Sequence, residues 1–312
     1  MAKTNHWGAL AAAAGTLVAV GLVLLTMLVV VEVRPAEATF PGKPGKIAYV
    51  AYDGNDFEIY TINAGGGGKF NVTDNARGDF DPCYSPSGKK IVYSALDGPN
   101  GDDEIYTINV GGGGRVQLTD NNTGDYDPCY SPNGKKIVYS GSDANDREIY
   151  TINAGGGGKL QLTDNATSDS NPDYSPSGKK IAYSGSDGTP TGDDEIYTIN
   201  AGGGGKLQLT DNATDDYQPS YSPSGKKIAF SGKEGTDFEI YTINVGGGSK
   251  FNVTDNGTSD YTPSYSPSGK KIAYSGSDAN DREIYTIKVG GGGRFNVTDN
   301  GTDDYTPSWG SS

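Results

Sequence analysis

The chain has 312 residues and a formal net charge of −14, and 48 of its residues are glycine. That much glycine excludes a helical bundle, and the acidic balance excludes a nucleic-acid partner, which requires a basic surface. The single histidine, His6, precedes a long apolar run, so the rest of the chain cannot assemble a Ser-His-Asp triad, an HExxH zinc site or a histidine general base.

Gly8 to Val31 form an uninterrupted uncharged, mostly apolar run behind Lys3 and His6. It is long enough to cross a bilayer as a helix. Ala36-Glu37-Ala38 then fits the small-x-small pattern of a signal-peptidase site. Residues 1–38 read as a signal peptide or a signal anchor: the alanines favour cleavage, the length of the run favours retention. Both readings put the remainder outside the cytoplasm (periplasmic, secreted or at the cell surface), because Lys3 favours a cytoplasmic N-terminus. Membrane contact is expected only through residues 8–31, if they are retained.

From Lys46 the chain repeats itself. The segment starting KIAY, or a near variant, places Ile47, Ile91, Ile137, Ile181, Ile228 and Ile272 at intervals of 44, 46, 44, 47 and 44 residues. A period in the forties built from short strands predicts propeller blades. Each unit holds four strand candidates; in the second they are Pro82 to Ser85, Lys90 to Ser94, Glu104 to Asn109 and Val116 to Thr119. SPSG, with Pro second and Gly fourth, suits a type I turn. The near-continuous apolar strands suit a sheet buried on both faces. The first unit starts at its second strand, and Pro307-Ser308-Trp309 matches a first strand. The prediction is an all-β, six-bladed β-propeller over residues 39–312, with four-stranded blades and a C-terminal strand that completes the first blade.

The repeat LTDNATDDYQPSYSPSGKKIAFSG (Leu209 to Gly232) resembles that of TolB-type six-bladed propellers, and the resemblance covers everything after the targeting segment. It implies the fold, while two departures are systematic. The family's Trp is Tyr84, Tyr130, Tyr174, Tyr221 and Tyr265 here, with only Trp309 keeping the indole. Its turn Asp is Ser87, Asn133, Ser177, Ser224 and Ser268. TolB proper also carries a globular domain ahead of its propeller, whereas this sequence passes from Thr39 straight into blades.

Up-and-down blades sort the charges onto two faces. Lys pairs at the first turn, such as Lys89-Lys90, and single cations after the third, Lys69, Arg115, Lys159, Lys206, Lys250 and Arg294, are expected on one face. The acidic second turns and links belong to the other. Each link reads TDN followed by a second Asp, namely Asp79, Asp125, Asp169, Asp216, Asp260 or Asp304. Six carboxylates at one height near the axis would form an acidic binding ring or ligate an axial Ca²⁺. The alternative is that they bond backbone N–H groups and shape the link. The GGGG-Lys/Arg stretches lack the Ser/Thr and helix of a phosphate loop, and are hairpin tips.

Cys83 and Cys129 occupy the same position in neighbouring blades. Neighbouring equivalents around a six-fold ring lie about one radius apart, so a disulfide requires a narrow channel; otherwise these are two small thiols. Together the features favour an extracytoplasmic, non-enzymatic, monomeric binding or scaffold protein, acting through one face on a protein or cell-envelope partner. The acidic face favours a cationic partner. The alternative is a carboxylate- or metal-dependent hydrolase or lyase with an axial site on that face.

Overall fold

The computed structural model describes residues 44–97, 101–142, 146–186, 188, 192–277 and 281–311. The targeting run and its cleavage residues lie outside these. The described chain folds into six four-stranded antiparallel sheets. The innermost strands are β4 (Asp79–Tyr84), β8 (Asp125–Tyr130), β12 (Asp169–Tyr174), β16 (Asp216–Tyr221), β20 (Asp260–Tyr265) and β24 (Asp304–Ser311). Next come β1 (Pro44–Tyr52), β5 (Lys90–Leu96), β9 (Lys136–Ser142), β13 (Lys180–Ser186), β17 (Lys227–Glu234) and β21 (Lys271–Ser277). The third row is β2 (Phe57–Asn63), β6 (Asp103–Asn109), β10 (Arg147–Asn153), β14 (Asp194–Asn200), β18 (Asp237–Asn244) and β22 (Arg282–Lys288). The outermost pieces are β3 (Phe70–Asn71), β7 (Val116–Gln117), β11 (Leu160–Gln161), β15 (Leu207–Gln208), β19 (Phe251–Asn252) and β23 (Phe295–Asn296).

The blades close as the sequence predicts. β24 pairs with β1, with Ile47 opposite Trp309 and Ala51 opposite Asp304, so blade 1 is built from both ends of the propeller. The first turn forms as its composition dictates: Gly88 N–H donates to Ser85 O at 2.9 Å, and Gly88 sits at φ 65°, where a side chain would be strained.

Six apolar clusters, one per blade interface, hold the ring. Val92 and Ile105 of blade 2 pack on Ile137, Tyr139, Tyr150 and Ile152 of blade 3, and the same positions recur around the disc. This explains the near-continuous apolar strands, because both faces of each sheet are covered. Inside the ring, the register of each of β4, β8, β12, β16 and β20 slips against its neighbour, for example between Phe80 and Cys83. β24 slips in the same region, against Ala48 to Val50. That bulge determines what reaches the axis.

Candidate binding site: the acidic end and the axial cavity

The six Asp residues singled out from the links are all buried, at 0% exposure. They stand at the starts of the innermost strands, but the cavity on the axis is lined by other residues. Each is tied locally to the Asn of its own link. Asn121 Nδ2 donates to Asp125 Oδ2 at 2.8 Å and to Glu104 Oε2 at 3.3 Å, while Asn121 N–H donates to Glu104 Oε1 at 2.6 Å. The amide thereby joins a glutamate of blade 2 to an aspartate of blade 3. Asn165 with Asp169, Asn212 with Asp216, Asn256 with Asp260 and Asn300 with Asp304 repeat the contact at 2.6–2.8 Å. Among the described residues, the one group of three carboxylates with converging oxygens is Asp53, Asp56 and Glu58. The six Asp residues shape the links through an asparagine side chain rather than through backbone N–H groups.

Burial makes these carboxyls weak acids. Glu104, Glu148 and Glu195 are pushed up to about 7, and Asp260 also to about 7, chiefly by desolvation. Asp79 and Asp304 are raised by burial and by the glutamate beside each, Glu58 and Glu283. Sealed in this way, the pairs offer a substrate no approach.

Among the carboxylates that face solvent are the first Asp of each TDN, Asp74, Asp120, Asp164, Asp211, Asp255 and Asp299, one per link. The first-turn lysines Lys89, Lys135, Lys179, Lys226 and Lys270 are exposed at the other end of the innermost strands, roughly 20 Å away by strand rise. The third-turn cations are exposed as well. They lie over tyrosines of the third strand, with Arg115 3.7 Å from the Tyr106 ring centroid, Lys159 4.1 Å from Tyr150 and Arg294 3.8 Å from Tyr285. Lys250 Nζ comes 3.8 Å from Asp216 Oδ1. Strand alternation is the reason: the residue before Phe70 or Val116 falls on the tyrosine side of the sheet.

Near the acidic end runs a half-buried aromatic arc. Tyr217, Phe238 and Tyr261 follow at 5.9 and 5.0 Å between centroids. Arg282 bridges Tyr261 and Tyr305 at 4.9 and 5.2 Å. Phe57 then meets Tyr305 at 6.1 Å and Phe80 at 5.5 Å. The arc breaks where the equivalent positions hold Ser170 and Asp194.

On the axis lies a cavity of about 180 Å³. Its walls are the bulges: Asp81, Asp127, Asn171, Gln218, Thr262 and Thr306, one from each blade, above a ring of prolines and then Cys83, Cys129, Asp173, Ser220, Ser264 and Ser308. The six bulge residues all have positive φ, from 44° to 57°, which is uncommon for residues other than glycine and especially for threonine. Asp173 accepts the Tyr221 N–H at 2.7 Å, and burial pushes its carboxyl up to about 7. Burial and the neighbouring Asp127 also raise Asp81. Sequence reading passes over these positions because the repeats look uniform. A signal is nevertheless present, since they are where the blades differ while the flanking Asp, Pro and aromatic residues stay nearly constant.

The channel is narrow at this level. The Cα atoms of Cys83 and Cys129 are 5.2 Å apart and the two are joined by a disulfide, so the two-thiol alternative is not the state found. The bond links blades 2 and 3 across a sequence separation of 46 residues, for which a chain-entropy argument gives about 4 kcal/mol. A Cys83→Ser/Cys129→Ser chain is expected to fold, since Ser220 and Ser264 occupy the same position, but with a clearly lower urea midpoint. An unchanged midpoint would mean that the bond adds nothing to the fold.

Closed six-fold geometry, four-stranded blades and an axial cavity define a six-bladed β-propeller. The chain belongs to the TolB β-propeller family: the TolB beta propeller domain (PD40) matches residues 38–190 and 187–311. It is similar in fold to TolB from Acinetobacter baumannii, with 22% identity and a TM-score of 0.74 over 86% of this chain and 67% of that one. A putative TolB from Agrobacterium tumefaciens matches with 19% identity and a TM-score of 0.67, over 85% and 98% of the two chains. Hydrazine synthase of Kuenenia stuttgartiensis matches at 17% identity and a TM-score of 0.73, over 87% of this chain and 47% of that one. No curated protein sequence matches.

Proposed function

We propose that this chain is an extracytoplasmic, non-enzymatic binding or scaffold protein, monomeric, which uses the acidic end of its propeller to hold a cationic protein or cell-envelope partner. The observation that carries the reading is the pairing of six exposed link carboxylates with an aromatic arc at the same end. Carboxylates draw lysine and arginine side chains in, and aromatic faces hold them once they are desolvated. Arg282, seated between Tyr261 and Tyr305, displays that recognition within the chain itself. The sealed Glu–Asp pairs support a non-enzymatic role.

Reversing Asp120, Asp164 and Asp211 to lysine together should weaken capture of a lysine-rich peptide at least tenfold and leave the melting temperature unchanged. Reversing Lys135, Lys179 and Lys226 to glutamate should leave capture intact. Equal peptide binding by the first variant and the wild type would refute the assignment of the face.

A further inference from the structure

We infer that the cationic end of the propeller is a docking surface for a bilayer rich in anionic phospholipid, beyond any contact made through residues 8–31. Lys89, Lys135, Lys179, Lys226 and Lys270, one per first turn of blades 2 to 6, are exposed at this end. Among the described residues none of the five forms an ion pair. The third turns share the end. Val110 N–H donates to Lys89 O at 3.1 Å, Ala154 N–H to Lys135 O at 2.9 Å and Ala201 N–H to Lys179 O at 3.0 Å, so the backbone fixes where the lysines stand in the ring. First and third turns contain no Asp or Glu in any blade, and nothing in them cancels the positive charge. The third-turn tips are glycines with open space around them, such as Gly65, Gly67, Gly111 and Gly113. They add no side chain that would hold a flat surface away from the lysines.

Two further observations point to a bilayer rather than to an acidic protein. The chain enters the propeller at this end: Pro44 pairs with Ser311, and Lys46 stands opposite Asn63 at the foot of the third turn. Residues 32–43, which span at most about 40 Å when extended, therefore join the apolar run Gly8 to Val31 to the cationic end and not to the acidic one. The second observation is the rim. Phe70, Val116, Leu160, Leu207, Phe251 and Phe295, 43–48% exposed, each follow a third-turn cation. Basic side chains beside exposed apolar ones suit the headgroup layer of a membrane, where phosphates meet the first and acyl chains the second. A bilayer seated here leaves the acidic end free for the partner proposed above, and neither surface depends on the other.

Lysine acetylation of the full chain, mapped by mass spectrometry, tests it in vesicles of phosphatidylcholine alone and in vesicles with phosphatidylglycerol added. Lys135, Lys179 and Lys226 should react about fivefold more slowly with the anionic vesicles at low salt. That protection should fade at about 0.5 M salt. Lys233, beside Asp215 at the acidic end, should react alike in both. Changing Lys135, Lys179 and Lys226 to glutamate together should remove the protection of Lys89 and Lys270 while capture of a lysine-rich peptide by the acidic end persists. Equal reactivity in the two kinds of vesicle, or protection of Lys233 in step with the others, would overturn the surface. So would protection by a glutamate-rich peptide with none from anionic lipid, which would assign this end to an acidic protein.

Discussion

Deleting residues 304–311 should abolish the cooperative unfolding transition of the propeller. Those residues are β24, the innermost strand of blade 1, and no other described strand is free to fill its place. Removing it exposes the inner edge of β1 and opens the ring between blades 6 and 2. It also removes Trp309, 6% exposed, from a cluster with Ile47, Tyr49, Ala51, Ala273, Ile284 and Val297. Two stitches to the neighbouring blades go with it: Trp309 N–H to Ser264 Oγ at 3.0 Å, and Tyr84 N–H to Ser308 Oγ at 3.2 Å. Point changes grade the effect. Trp309→Ala should cost about 3–5 kcal/mol. Trp309→Tyr should cost far less, since tyrosine stands at this position in the other five blades. Circular dichroism and urea unfolding read all three, and a deletion variant that melts like the full chain would show that the ring is held without its closure.

Stability should fall as pH rises from 5 to 8, the reverse of a protein held by paired carboxylates. Glu104, Glu148 and Glu195 are raised from 4.5 to about 7, and Asp260 and Asp173 from 3.8 to about 7. A raised folded-state value means that the fold prefers the protonated acid. Its contribution is full below the unfolded values near 4 and is lost as pH climbs through 7. A tenfold change in acidity corresponds to about 1.4 kcal/mol, and the high effective dielectric that proteins show even at buried sites reduces that figure. Taken over several sites, the discounted loss moves the melting temperature by on the order of 5 °C for a domain of this size. Replacing one pair, Glu148→Gln with Asp169→Asn, should flatten the profile in proportion. A melting temperature that held level or rose between pH 5 and pH 8 would show these groups ionised at no cost.

The fold is legible because the information is repetitive. Six copies of a four-strand pattern define the blade, and the overhang ending at Trp309 defines the closure. The site is less legible for a definite reason. Counting from Asp79 along a regular strand assigns alternate side chains to the axis, but the slip between Phe80 and Cys83 breaks that alternation. The bulge turns Asp81 and its equivalents to the cavity and leaves Asp79 sealed against Asn75. No residue type at these positions announces a bulge, since Asp, Asn, Gln and Thr all occur there. The cysteine pair meets a related limit: six repeats set the number of blades but not the channel radius, and the radius determines whether equivalent cysteines touch. The third-turn cations follow the turns where the repeats put them and stay exposed, with their charged ends over tyrosine rings.

The central claim, that the acidic end of the propeller is a surface for cationic partners, is tested most directly by a biosensor titration of the immobilised full chain. A lysine-rich peptide and a glutamate-rich peptide of equal length should be compared in low and in high salt, about 0.5 M, where exposed charges are strongly screened. The expected result is saturable binding of the lysine-rich peptide alone, weakened by salt but retained in part through the aromatic arc. Failure to bind it, or preference for the glutamate-rich peptide through the first-turn lysines, would contradict the account.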